Sequence, residues 1–502
     1  MDALQNLMMG FGQALAPQNL LFAFLGSMLG TAIGVLPGVG PAAGMAILLP
    51  LTFSLPPTPA IIMLAAIFYG SQYGGTITSV LMNLPGEAAS AITCLDGYQM
   101  ARNGKASTAL SIAAIGSFIG GSVATLGLVF AAPPLARAAL QFGPPEFFAL
   151  MVLGLSLVTG LAGKSITKGL MMGAFGLLLA MVGMDPIRGL PRYTFDYMEL
   201  MDGLGFIPVV MGLFGVGEIL LNAEKALPPI SMTGRLSSLM PSRKDVRASV
   251  GPVARGTVLG FFLGLVPGVT NAATSFLSYV VEKKVSKYPE KFGTGVIEGV
   301  AGPETANNAH ANAAFIPLLT LGVPASPGVA VLMGGFIMNG LAPGPLLFKD
   351  HADFVWTIIA SMYTGNLILL ILNLPLIGMW VKILQIPYSI LFALILCFTV
   401  IGAYSINSSA FDVGLMAVFG VIGYILKKTD FPLAPAVLTL ILGPLMEKSL
   451  RQALEMSQGD FSIFFGRPIT ATLLAIAAVA LLYPIVQSGF QRRGGSSNRK
   501  AA

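Results

Sequence analysis

The chain has 502 residues, 55% hydrophobic and 10% charged, with a mean hydropathy of +0.80. Soluble globular chains carry about 25% charged residues, so a soluble enzyme is excluded and an all-α polytopic membrane protein is expected. The net charge of +6 is modest, and its distribution along the chain says more than its sum.

The start, MDALQNLMMGFGQALAPQNLLFAFLG, has no basic segment before its apolar stretch, so no cleavable signal peptide is expected. An apolar stretch over about residues 20–53 is interrupted by Pro37, Gly38, Val39 and Gly40. No Lys or Arg precedes Arg102. Basic residues favour cytoplasmic loops, so this stretch reads as a hairpin that enters the membrane from outside. A span from Ala60 to Leu81 follows, carries Ser71, Tyr73 and Thr76, and runs inward past Asn83 to Arg102 and Lys105. Ser107–Phe130 leads outward. Spans from about Glu146 and Thr167 flank inner Lys164 and Lys168. DPIRGLPRYTFD (Asp185–Asp196) reads as an outer loop whose Arg188 and Arg192 are solvated, or meet a partner protein or a passing anion. A span near Gly205–Leu221 returns to a basic loop, residues 223–251.

The second half opens with an echo of the first. GTAIGVLPGVGPAA (Gly30–Ala43) and GFFLGLVPGVTNAA (Gly260–Ala273) align without gaps, with seven identities in fourteen positions. A weaker pair, LMNLPGEAAS from Leu81 and LTLGVPASPG from Leu319, centres on Pro85 and Pro324. Paired Gly/Pro interruptions in two halves point to a secondary transporter's binding site. Basic residues flank the second motif on both sides: Arg243, Lys244, Arg247 and Arg255 before it, Lys283, Lys284, Lys287 and Lys291 after it. A hairpin over about residues 256–281 that dips in from the cytoplasm places both clusters inside. About 10–12 transmembrane helices with two re-entrant hairpins in an inverted-topology repeat are therefore expected. Further spans are expected at Gly293–Leu321, Phe354–Leu374, Ile386–Ile406, Phe411–Leu426, Phe431–Met446 and Ile469–Val486. The parts are a first repeat (20–222), the basic loop (223–251), a second repeat (252–446) and a C-terminal helix with tail (447–502).

Irregular backbone survives at membrane depth only when buried in protein or lining a cavity. At the tips, Pro37 and Pro267 stop a half-helix, and Gly38 and Gly268 allow a tight turn. The half-helix from Ala272 turns free N–H groups toward an anion. The carbonyls ending the preceding half-helix suit a cation, with sodium contacts expected at Gly38, Gly268, Asn271 and Asn308. The densest polar cluster in apolar surroundings is GVIEGVAGPETANNAHANAAFIPLLTLGVPASPG (Gly295–Gly328), with Glu298, Glu304, Asn307, Asn308 and His310. Ionisable groups inside membrane segments are costly and default to function. The candidate substrate- and ion-binding residues are Pro37, Gly38, Val39, Gly40, Asn83, Gly268, Thr270, Asn271, Ala272, Glu304, Asn307, Asn308, Pro324 and Ser326. Cys94 and Cys397 give no disulfide framework. GLAGKS (Gly160–Ser165) lacks the first glycine of a phosphate loop, which falls on Val158.

GVLPGVGPAAGMAILLPLTF, FYGSQYGGTITSVLMNLPGE, DGYQMARNGKA, GLVPGVTNAATSFLSYVVEKKVSKYPEKFGTGVIEGVAGPETANNA and FIPLLTLGVPASPGVAVLMGG together resemble the large membrane subunit of bacterial tripartite tricarboxylate transporters. The resemblance runs from about residue 20 to beyond 440 and departs from the family pattern at Thr270 and Ala325. It implies an inner-membrane permease with two partners, a small four-helix membrane subunit and a periplasmic solute-binding protein. It also implies uptake of citrate-like carboxylates driven by a sodium or proton gradient, with no cofactor and no nucleic acid. The rival readings are an intramembrane enzyme and a passive organic-anion channel. His310 and His351 are far apart and no HExxH pattern occurs, which speaks against the enzyme.

Overall fold

The computed structural model describes residues 3–36, 38–161, 165–185, 187–224, 241–383 and 388–497. Pro37, Lys164 and most of the expected basic loop lie outside the described residues.

Helix α1 (Ala3–Ala14) leads to α2 (Pro17–Val35), which stops just before the Pro37 interruption. After the turn come α3 (Gly40–Leu48) and a 3-10 turn, Leu49–Thr52. Helices α4 (Pro57–Met82), α5 (Thr93–Arg102) and α6 (Ala106–Ala139) follow. Next are α7 (Pro144–Leu161), α8 (Ile166–Ala180) and an antiparallel ribbon of β1 (Gly183–Met184) and β2 (Pro191–Arg192). Helices α9 (Phe206–Val210) and α10 (Gly217–Ala223) flank a π turn at Met211–Val216. The second interrupted segment is α11 (Arg243–Gly264) and α12 (Asn271–Val285). Helices α13 (Glu298–Ala313), α14 (Phe315–Leu321), α15 (Pro327–Met338), α16 (Pro345–Asp350) and α17 (Ala352–Asn373) come next. The chain continues as α18 (Ile377–Ile383), α19 (Tyr388–Asn407), α20 (Ala410–Lys428), α21 (Leu433–Met456), α22 (Ile463–Gly466) and α23 (Pro468–Ser497).

Among the described residues, seven helices are long and apolar enough to cross a membrane: Pro17–Val35, Pro57–Met82, Ala106–Ala139, Phe206–Ala223, Ala352–Asn373, Ala410–Lys428 and Leu433–Met456. The chain is thus an all-α, multi-pass membrane protein.

Two compact units are present. The first comprises Met1–Ala139, Ile207–Val266 and Thr270–Ile425. Its core is built on helix pairs that approach through glycine. A Cβ on Gly26, Gly30 or Gly34 of α2 would lie 2.4, 2.6 or 2.1 Å from the carbonyl oxygens of Met63, Ile67 and Ser71 on α4. A Cβ on Gly256, Gly260 or Gly264 of α11 would lie 2.5, 2.3 or 2.6 Å from those of Gly302, Ala306 and His310 on α13. Small residues at this spacing let backbones close up where no water drives the helices together. The sequence echo is therefore also an echo in packing: α2 sits on α4 as α11 sits on α13.

The downstream pair matches as well. Asn83 ends α4 with φ +57° and Gly322 ends α14 with φ +70°, both left-handed. Two residues later stand Pro85 and Pro324, and two beyond those stand N-caps. Glu87 accepts from the Ala89 N–H at 3.2 Å, and Ser326 from the Val329 N–H at 3.4 Å.

The second unit comprises Leu140–Phe206, Pro267–Val269 and Leu426–Ala502. Here α7 packs on α21 and α23, and α8 on α21. Buried Glu146 of α7 pairs with Arg467 at 2.7 Å and accepts from Thr470 at 2.9 Å.

Three expected boundaries move. The Gly293–Leu321 span begins only at Glu298, because the Gly293, Gly295 and Val296 N–H groups donate to buried Asp96 instead of to a helix. Tyr279 adds its hydroxyl to the same carboxylate at 2.8 Å. That span also breaks between Ala313 and Phe315. The helix expected from Gly256 starts at Arg243, where Ser242 and Asp245 form a capping box.

Candidate functional site

The site grows out of α13, every residue of which from Gly299 to Ala313 is buried. Six buried polar side chains follow one another along it: Glu304, Thr305, Asn307, Asn308, His310 and Asn312. Each must find a partner or cost free energy.

Glu304, 1% exposed, accepts the Thr76 hydroxyl at 2.6 Å and the Thr93 hydroxyl on its other oxygen. Asn307 donates to Glu87 Oε1 at 3.0 Å and accepts from Asn271 Nδ2 at 3.0 Å. Asn271 also donates to the Asn307 carbonyl at 3.1 Å. With its amide nitrogen turned inward, Gln72 donates to Glu87 (3.1 and 3.2 Å) and to Asn307 Oδ1 (3.0 Å). Asn308 donates to Ser117 at 2.7 Å, while its own Oδ1 has no partner. His310 Nδ1 meets Thr274 Oγ1 at 2.8 Å, and its Nε2 has no partner. Beyond the cluster, Tyr73 donates to Asn366 at 2.5 Å.

Both interrupted segments reach this cluster. At the end of α2, Gly34 O lies where a Cβ on Gly86 would sit, 2.1 Å away, so only glycine fits beside Glu87 there. At the start of α12, Asn271 holds Asn307. One polar chain, Gln72–Glu87–Asn307–Asn271, thus ties the two halves together. Among the described residues, no Lys, Arg or His forms an ion pair with Glu87 or Glu304. No group of three or more His, Cys, Asp and Glu is arranged to hold a metal ion either.

The sequence-predicted residues divide. Glu304, Asn307, Asn308 and Asn271 come together. Gly38 (φ +88°) and Gly268 (φ +89°) both turn the chain through positive φ. The first tip rests on Asn222: a Cβ on Gly38 would lie 2.7 Å from its Nδ2. Val39 and Gly40 lead into α3, whose N-terminus has no side-chain cap. Thr270 caps α12 through the Ala273 N–H at 3.2 Å, and Ala272 lies in its first turn. Pro324 and Ser326 are buried in the turn before α15, while Asn83 is exposed. Glu298 is half-buried at the start of α13.

Gln72, Glu87, Thr93, Ser117, Asn222 and Asn366 were not singled out from sequence. Glu87 alone carried a readable signal, an ionisable residue two positions after a proline that both halves share. Nor was the clamp across the second interrupted segment, where Arg255 donates to buried Glu282 through Nε (2.9 Å) and Nη2 (2.5 Å).

Arg192, expected in an outer loop, is engaged rather than solvated. It donates to Glu447 at 2.8 and 3.3 Å, and Arg451 bridges Asp185 and Glu447. The N–H groups of Arg188 and Ile187, with Arg451 beside them, hold the Asp185 carboxyl down to about 2. Arg188 is exposed.

A protein of Agrobacterium vitis, described as an uncharacterized 52.8 kDa protein in the TAR-I ttuC' 3' region, is 51% identical over 488 residues, 97% of each chain. A second from the same organism, described as an uncharacterized protein in the TAR-II ttuC' 3' region, is 50% identical over 229 residues, 46% of this chain and 95% of that one. No solved structure matches. Residues 20–438 match the family described as the tripartite tricarboxylate transporter TctA family, and the chain belongs to that family, as a multi-pass subunit of such a transporter.

Proposed function

We propose that this chain is the permease subunit of a binding-protein-dependent secondary transporter. It imports di- or tricarboxylates, or related organic anions, across the bacterial inner membrane on a sodium or proton gradient. Its partners are a small four-helix membrane subunit and a periplasmic solute-binding protein. Residues 20–222 and 252–446 act as two repeats of inverted topology, each opening with a re-entrant hairpin, at about 20–53 and 256–281. The loop 223–251 is cytoplasmic, and residues 447–502 are a C-terminal helix with a cytoplasmic tail.

The observation that carries the reading is the buried polar chain from Gln72 through Glu87 and Asn307 to Asn271. It joins the two matched halves and ends at Asn271 in the second interrupted segment, and such segments are where repeat transporters hold substrate and coupling ion. The uncapped start of α3 offers backbone N–H groups to a carboxylate. Thr270, Asn271, Asn308 and the Gly38 and Gly268 turns supply the remaining contacts, on the substrate or on sodium.

Uptake of labelled citrate and smaller dicarboxylates into proteoliposomes tests this. The complete three-component system takes up substrate under an ion gradient, and the permease by itself transports poorly. Full-rate uptake by this chain without the binding protein contradicts the tripartite reading, and uptake indifferent to any gradient favours the channel.

A further inference from the structure

The two buried carboxylates differ in what surrounds them, and the difference assigns them different tasks. Glu87, 6% exposed, meets only N–H donors: Ala89 N, Asn307 Nδ2 and the inward-turned Gln72 amide. It also caps a 3-10 turn that runs directly into α5. The Ala89 N–H and Asn307 Nδ2 can only donate to it, whereas the Gln72 amide can turn either its nitrogen or its oxygen toward it. Glu304 meets only hydroxyls, Thr76 on one oxygen and Thr93 on the other. A hydroxyl can turn from donor to acceptor. A protonated Glu304 therefore keeps every contact, while an ionised one stays buried without a cation.

A cavity of about 10 Å³ is lined by Tyr73, Thr76, Ser117 and Asn373. Asn373 in this lining, and Asn308, which donates to Ser117, each have an Oδ1 with no hydrogen-bond partner. Thr76 thus stands between the cavity and Glu304 Oε2.

The other titratable groups on elements packed against α13 are placed as follows. Glu87 and the Cys94 thiol lie within electrostatic reach of Glu304. Tyr69 and Tyr73 stand on α4, His310 on α13, and Asp96 is held by Tyr279 and the 293–296 backbone. Glu282 is paired with Arg255. The remaining cations sit in terminal turns: Arg102 of α5, Arg137 of α6, Arg243, Lys244 and Arg247 of α11, and Lys283 and Lys284 of α12.

We propose that Glu304 binds and releases the proton that couples transport to the gradient, with Thr76 as its relay and Glu87 as a fixed structural anchor. The inference rests on the transport reading above and names its coupling ion. In each cycle a proton from the outer solution forms an O–H bond on Glu304. That bond breaks toward the inner solution after substrate leaves, so one proton accompanies each substrate through this site.

The test uses the complete three-component system in proteoliposomes, with substrate fully ionised on both sides. For one coupled proton, accumulation changes about tenfold per unit of imposed ΔpH. In Glu304→Gln, accumulation no longer follows ΔpH. If Glu304→Gln does not fold, Glu304→Asp serves in its place. The infrared C=O band of a protonated carboxylic acid, titrated in the wild type, shifts its pH midpoint in Glu304→Asp. Overturning results are an unchanged ΔpH response in Glu304→Gln, an unmoved band in Glu304→Asp, or wild-type uptake driven by sodium alone. A wild-type system that transports no carboxylate sinks the transport reading instead.

Discussion

The two interrupted segments begin alike and end differently. In each, a glycine-faced helix packs on its partner's carbonyls, then a glycine at φ near +88° or +89° turns the chain. The first then gives the nine-residue α3, uncapped by any side chain. The second gives the fifteen-residue α12, capped by Thr270 and clamped at its far end by the Arg255–Glu282 pair. The downstream turns diverge too: the N-cap is a carboxylate, Glu87, in one half and a hydroxyl, Ser326, in the other. What the halves share is the framework that brings helices close. What they do not share is the polar equipment.

The largest effect expected from this comparison is on the shared framework. Gly30→Val and Gly260→Val each push a side chain into a facing carbonyl, 2.6 Å from Ile67 O and 2.3 Å from Ala306 O at the Cβ alone. Overpacking costs about 1–3 kcal/mol and more where backbone blocks relaxation. Both variants should lose monodisperse protein on size-exclusion chromatography in detergent, and to a similar degree. A half that tolerates its valine breaks the equivalence.

A smaller effect is expected at the turns. Gly38→Ala and Gly268→Ala each force a side chain into a left-handed backbone, at about 1–2 kcal/mol. Gly38→Ala also meets the Asn222 side chain. Thermal unfolding should show both variants destabilised, Gly38→Ala the more. Equal wild-type stability in either would mean the turn relaxes without glycine.

The smallest sets these buried carboxylates against one outside the membrane segments. Asp185 is held down to about 2 by the Arg188 and Ile187 N–H groups and by Arg451. A depressed folded value means its contribution is complete above the unfolded value near about 4, and is lost as pH falls toward about 2. Unfolding temperature should therefore fall over that window, and Asp185→Asn should flatten that part of the curve. An unaltered acid limb in Asp185→Asn would leave the Asp185 contacts without weight.

Much of the helical order was legible, because long apolar runs and Gly/Pro interruptions are local features. Ala60–Leu81 lies within Pro57–Met82, and Phe354–Leu374 closely matches Ala352–Asn373. Asn307 and Asn308 were legible as polar residues in apolar surroundings. Their partners were not, since Gln72, Thr93 and Ser117 are ordinary in sequence and meet α13 only through long-range packing. The late start of α13 was hidden for the same reason: Asp96, two hundred residues away, takes the backbone donors that helix formation would have used.

The central claim is that the two matched hairpins enter from opposite faces of the membrane. Pro56 and Lys284 are both exposed, one beyond the first hairpin and one at the end of the second. With Cys94 and Cys397 replaced by serine, Pro56→Cys and Lys284→Cys can be labelled in intact cells with an impermeant thiol reagent. The account predicts that the cysteine at 56 labels from outside and the one at 284 only after permeabilisation. Labelling of the cysteine at 284 in intact cells, or of the one at 56 only in permeabilised cells, would contradict it.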